Sequence, residues 1–152
     1  MPSKILHLAR SFYLMCSSHP TPQVEHVRIL LADNHPYFQE FVEGLLEPPF
    51  EIVGTVHNGW ALLEAAPNLK PDVILTGIEM PILNGLVREL TKSGCHAKVI
   101  FLTIDLDLDF VRSALAAGAL GFVAMHRAAC DLVPAIQSVL AGDFFVSRYD
   151  EV

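Results

Sequence analysis

Residues Pro71 to Pro81, PDVILTGIEMP, constrain the fold more than any other stretch of the chain. Val73 to Thr76 is an unbroken run of apolar and β-branched residues set between Pro71-Asp72 and Gly77. That is the pattern of a short strand buried on both faces, as in the middle of a parallel sheet. Gly77 ends the run, and Met80-Pro81 turn the chain before Asn84-Gly85 open the next segment. In an open α/β sheet, ligands bind at the carboxyl ends of the central strands. Gly77 therefore stands where chemistry is expected, and it brings no side chain to perform any.

The rest of the chain alternates around this strand. Val27 to Ala32 (VRILLA) is a strand closed by Asp33-Asn34-His35-Pro36, and Tyr37 to Leu46 is an amphipathic helix with Phe38, Phe41, Val42, Leu45 and Leu46 inward. Glu51 to Val56 is a second strand and Gly59 to Ala66 a second helix. After the central strand come a helix over Leu83 to Ser93, a strand at Lys98 to Thr103, a helix over Leu108 to Ala117 stopped by Gly118, and a strand at Gly121 to Ala124. A last helix ends at Leu140 before Gly142. Because Pro134 is tolerated in a first turn but not in a helix interior, this helix is expected to start at Asp131 or Leu132, with Asp131 as its N-cap. Five strand–helix units predict a doubly wound α/β fold, a parallel sheet with helices on both faces.

Composition narrows the function classes. The 152 residues suffice for one domain, and 52% hydrophobic against 18% charged residues implies a packed core. A net charge of −7, with ten thinly spread Lys and Arg, argues against a direct grip on nucleic acid, which rests on clustered cations. Cys16, Cys95 and Cys130 are odd in number and widely spaced, so no zinc pair or disulfide framework is expected and a reducing cytoplasm is the simpler setting. No apolar run is long enough to span a membrane. His7 and Arg10 interrupt the apolar stretch at residues 4–16, so a retained extension is expected rather than a signal peptide. Residues 1–26 form this extension, 27–146 the domain and 147–152 a tail. Within the extension, Ile5, Leu8, Ala9, Phe12 and Cys16 recur at helical spacing ahead of a Ser/Pro-rich linker. It is either a loose tail or a helix docked on the domain or on a second copy.

The ordered motifs DNHP, PDVILTGIEMP, VIFLTI and GALGFVAM, at these intervals from Val27 to about Phe145, resemble the receiver domain of two-component response regulators, most closely receivers of the LuxR/NarL type. The resemblance implies a flavodoxin-like sheet of order 2-1-3-4-5. It also implies aspartyl phosphorylation: an aspartate ending the third strand attacks a phosphoryl group, with Mg²⁺ held by that aspartate and an acidic pair after the first strand. A hydroxyl ending the fourth strand and a lysine ending the fifth bind the phosphoryl oxygens. Position by position, the acidic pair falls on Asp33 and Asn34, the acceptor on Gly77, the hydroxyl on Thr103, the switch aromatic on Phe122 and the lysine on Met125.

The sequence departs from the family at this centre. Gly77 offers no nucleophile, so no catalytic residue is expected, and Asp33 alone of three carboxylates is too little for Mg²⁺. Met125 fits the same logic, since an ammonium without its carboxylates is costly to bury while methionine fills similar volume uncharged. The pattern is that of a pseudo-receiver that is not an enzyme and needs no cofactor or metal. Other candidates have plainer roles. Glu79 sits in a loop facing solvent, Asp105, Asp107 and Asp109 cap the following helix, and His35 belongs to the turn. His57, His96 and His126 lack metal-ligand spacing, and Thr103 is expected to bond local backbone before any ligand.

Function is therefore expected in contacts. Receivers of this family signal through the face of the fourth helix, fifth strand and fifth helix, and often dimerise there or through the first and fifth helices. Leu106, Leu108 and Leu120 flank that face and are expected at an interface, rather than in the core. The chain reads as a phosphorylation-independent signalling module, acting as a homodimer or on a protein partner, or as the regulatory half of a LuxR-type transcription regulator. The alternative is a module that binds a small ligand or anion in the vacated pocket.

Overall fold

The computed structural model describes residues 26–77, 83–104 and 107–148, with the side chains of residues 83 and 84 left out. Strands β1 (Val27–Ala32), β2 (Phe50–Val56), β3 (Val73–Gly77), β4 (Lys98–Thr103), β5 (Gly121–Ala124) and β6 (Phe145–Val146) form one parallel sheet of order β2-β1-β3-β4-β5-β6. The helices are α1 (Phe38–Leu45), α2 (Gly59–Leu69), α3 (Leu83–Lys92), α4 (Leu108–Ala117) and α5 (Ala128–Leu140). This is the doubly wound sheet that the alternation predicts, with one strand more at its edge.

Period-two alternation splits the core into two layers. Ile29, Leu31, Val73, Leu75, Ile100 and Leu102 face α1 and α5, where Phe38, Val42, Leu132, Ala135 and Ile136 meet them. Leu30, Ile74, Val99 and Phe101 face the other side, against Leu62, Leu86, Val87 and Val111. Every residue of β3 is buried, as its uninterrupted apolar run demands. Local signals close the helices. Asn58 caps α2 by accepting from Ala61 N–H at 2.8 Å, Asp107 caps α4 by accepting from Asp109 N–H at 2.9 Å, and Gly118 ends α4 at φ 112°.

Four expectations need correction. Phe41 does not point inward; it is 39% exposed on the outer side of α1. Helix α2 runs through Pro67 to Leu69, three residues past its expected end. Helix α5 begins at Ala128, directly after a 3₁₀ turn over Met125–Arg127, so Pro134 lies in its interior. The early start is held by tertiary contacts that outweigh the proline. Ala128 is buried in the core, and Arg127 Nε bonds Asp131 Oδ2 at 3.0 Å, so Asp131 lies inside the helix and is not its cap. Lastly, Cys130 is disulfide-bonded, a pairing that an odd cysteine count does not reveal, while Cys95 is free.

Strand β6 was not foreseen, because two residues carry no periodicity. Phe145 N–H donates to Leu120 O and Ser147 N–H to Phe122 O, each at 2.9 Å. Ser147, 4% exposed, then anchors the segment: its hydroxyl donates to Asp131 Oδ2 at 2.7 Å and accepts from Ala124 N–H at 3.0 Å. Among the described residues no helix is long and apolar enough to cross a membrane.

Candidate functional site

Three strand ends, those of β1, β3 and β4, converge at the carboxyl edge of the sheet, with the end of β5 alongside. Ala32 pairs with Thr76, Gly77 with Leu102 and Thr103 with Ala124, which sets Asp33, Gly77, Thr103 and Met125 around one crevice. Asp33 is 6% exposed and tightly held. Its Oδ1 accepts from His35 N–H at 2.6 Å, its own N–H donates to Val56 O at 3.0 Å, and its carbonyl lies 3.1 Å from His57 Nδ1. The DNHP turn thus folds back on its aspartate as an Asx-type turn, the structural role expected of His35.

The decisive geometry is between Asp33 and Gly77. A Cβ added at Gly77 would collide with Asp33 Oδ2 and stand 3.0 Å from its Cγ. The carboxylate of Asp33, as it lies, occupies the space into which a Cβ at position 77 would project. A side chain at position 77 therefore requires the Asp33 carboxylate to shift; the constraint is close approach, not backbone angle.

The remaining site residues are placed as follows. Asn34 is exposed. Thr103 is 3% exposed and already bonded within the protein. Met125 leaves β5 in the 3₁₀ turn and packs half-buried on the α1/α5 core layer. Phe122 is fully buried, stacked on Phe101 at 5.5 Å and edge-on to Phe110 at 6.3 Å. Glu79, Asp105 and Leu106 lie outside the described residues. His57, His96 and His126 are exposed, and no cluster of three potential metal ligands occurs among the described residues.

Leu108 and Leu120 do not form one patch. Leu108 is 67% exposed at the top of α4, beside the carboxyl ends of the strands. Leu120 precedes β5 at the opposite end of the sheet, where its N–H donates to Val99 O and its side chain packs on the core. Strand β6 also pairs along the outer edge of β5. Sequence reasoning missed Ile104, 72% exposed near Leu108 in the chain, and Trp60, 70% exposed at the start of α2. Helical phase carries a signal for Trp60, two positions before the inward Leu62; no periodic signal reaches Ile104 in its loop.

The model of the response regulator receiver domain matches residues 29–137. The chain belongs to this family. It is 33% identical over 124 residues to the transcriptional regulatory protein DegU of Brevibacillus brevis, covering 79% of this chain and 52% of that one. It is 31% identical over 128 residues to the nitrate/nitrite response regulator protein NarL of Escherichia coli, covering 82% and 59%. A crystal structure of a LuxR-family two-component response regulator from an Aurantimonas species superposes with a TM-score of 0.74 at 25% identity, covering 80% of this chain and 89% of that one. The receiver is thus of the NarL/LuxR/DegU type, and the chain spans a little over half the length of the curated relatives it matches.

The family implies Mg²⁺, and the donor set fits it poorly. Asp33 is the one carboxylate at the described strand ends that form the crevice, its Oδ1 is engaged by backbone, and Asn34 and Gly77 supply no charge. A hard dication takes several oxygen ligands, usually more than one of them anionic.

Proposed function

We propose that this receiver signals without aspartyl phosphorylation, by holding one conformation and presenting a fixed protein-contact surface. The observation that carries the proposal is Gly77 at the end of β3, its side-chain space filled by the carboxylate of Asp33. Aspartyl phosphorylation needs a nucleophile at that strand end, a metal to neutralise the incoming charge, and a cation for the phosphoryl oxygens. Glycine, asparagine and methionine at positions 77, 34 and 125 remove all three together. Phe122, locked between Phe101 and Phe110, supports a single resting state. An anion site in the crevice has less support, because the Asp33 carboxylate already lies there. Intact-mass spectrometry of the folded protein after incubation with Mg²⁺ and acetyl phosphate is expected to find the mass unchanged. A stable phospho-adduct overturns the proposal.

The output is contact with a second copy or with another protein, including a DNA-binding half of the kind its relatives' names imply. Ile104 and Leu108 are the exposed apolar residues beside α4 that suit such a contact. Leu120 belongs to the core and is set aside. If the contact is a homodimer, Ile104→Asp with Leu108→Asp weakens self-association about tenfold or more, since each buried apolar anchor is worth on the order of 1 kcal/mol. Sedimentation velocity with circular dichroism as folding control measures it. A wild type that stays monomeric at high concentration removes the homodimer and leaves the hetero-partner.

A further inference from the structure

A cavity of about 490 Å³ lies at the opposite end of the sheet from the crevice, under the amino ends of β3 and β4. Its walls are the end of α2 with the turn into β3, the turn from α3 into β4, and Leu140, the last residue of α5. Clefts of roughly 300–1,000 Å³ hold small organic ligands. Local hydrogen bonds fix these walls. Lys70 ends α2 in a left-handed turn, φ 48°, and its N–H donates to Ala66 O at 3.0 Å. Gly94 closes α3 at φ 84°, and the Cys95 N–H returns to Leu90 O at 3.1 Å. Between the two turns, Asp72 ties β1 to β4: its N–H donates to Arg28 O at 2.8 Å and its carbonyl accepts from Lys98 N–H at 3.0 Å. The cavity is preformed.

Its charge is opposite in sign to that of the chain, whose net charge is −7. Lys70, His96 and Lys98 line it against one carboxylate, Asp72, whose Oδ2 is already engaged by the Arg28 N–H at 2.8 Å. Lys98 is half-buried, and neither it nor Lys70 is paired with a carboxylate among the described residues. Arg28 adds a nearby cation, its guanidinium held on Leu69 O at 2.8 Å. The ends of α2, α3 and α5 oppose this, because a helix carboxyl end carries about half a negative charge. Three such ends still fall short of the two positive charges left when Lys70, Lys98 and Arg28 are set against Asp72. A half-buried ammonium without a counterion gains from any anion that reaches it. The rest of the lining is largely apolar, with Pro71 buried and Leu140 half-buried.

We propose that this cavity binds a small organic anion, with its charged group between Lys70 and Lys98 and an apolar body against Pro71 and Leu140. The site is separate from the phosphorylation crevice and does not depend on whether that crevice is silent. A ligand here bridges the starts of β3 and β4 and the ends of three helices, so its binding stabilises the folded domain by mass action.

The test is an NMR titration of the full chain with phenyl phosphate, which joins an anion to an apolar ring. Saturable shifts are expected at the amides of Lys70, Asp72, Cys95 and Lys98, with a Kd of about 1 mM or tighter. Phenyl glucoside, with the ring but no charge, and inorganic phosphate, with the charge but no ring, are each expected to bind about tenfold more weakly. Lys70→Gln with Lys98→Gln should weaken phenyl phosphate binding about tenfold. Cys95, free and half-buried in the wall, gives a readout that needs no variant: saturating phenyl phosphate should slow its alkylation by iodoacetamide, read by peptide mapping. The proposal is overturned by no saturable shift up to about 10 mM, by shifts centred on Asp33 and Thr103, or by either control compound binding as tightly. A folded double variant that binds like wild type, or Cys95 alkylation unchanged at saturation, overturns it as well.

Discussion

Gly77→Asp alone leaves the protein unlabelled by acetyl phosphate and Mg²⁺, whereas Gly77→Asp, Asn34→Asp and Met125→Lys together restore labelling. The single variant fails for a steric and an electrostatic reason. Its new Cβ meets the Asp33 carboxylate, which must give up its bond from His35 N–H and swing away. Losing a charge-assisted bond of this kind costs on the order of 1–3 kcal/mol. The two carboxylates are then forced together with no lysine beside them. The second substitution completes the acidic set that draws in Mg²⁺, and the third supplies the phosphoryl oxygens with a cation. Groups that act as a unit are strongly non-additive, so each double variant is expected to label closer to the single than to the triple. Intact-mass spectrometry over a time course measures this. Efficient labelling of Gly77→Asp alone would show that the crevice is still a working site.

Asp131→Ala is expected to be the most destabilising single polar change in the domain. The Asp131 carboxylate, 8% exposed as a residue, accepts from the Ser147 hydroxyl at 2.7 Å and from Arg127 Nε at 3.0 Å. Alanine leaves the buried hydroxyl without its acceptor and strips the half-buried guanidinium of its carboxylate. It also removes a negative charge from the first turn of α5, where the helix dipole favours one. These losses amount to about 3 kcal/mol. For a domain of this size that lowers Tm by roughly 10 °C. Ser147→Ala orphans the Ala124 N–H and costs less, about 1–2 kcal/mol. Because β6 hangs on the same hydroxyl, both variants are expected to speed amide exchange at Phe145 and Ser147. Thermal melts and hydrogen exchange test the pair. An Asp131→Ala variant as stable as wild type would mean that the network contributes nothing net.

Much of the fold was legible in residue order, for identifiable reasons. Strands β1, β4 and β5 match their expected limits because each is an apolar run closed by a polar or turn residue. Helix α4 matches because Asp107 caps it and Gly118 takes a left-handed backbone at its end. The missed start of α5 shows where local rules fail. Proline opposes an interior position through one lost hydrogen bond, while the burial of Ala128 and the Arg127–Asp131 pair act through residues that local propensity does not weigh.

The sequence by itself determined the doubly wound architecture, the family, and the identity of the residues at the three strand ends, including the glycine at position 77. Those follow from periodicity and from the order of motifs, which any local reading can reach. Only the tertiary structure decided that Asp33 fills the space over Gly77, that β6 covers the edge of β5, and that Leu108 and Leu120 lie at opposite ends of the sheet. Each joins or separates residues through the sheet register and the packing of helices on it. A close approach across 44 residues leaves no mark on the local pattern of either partner.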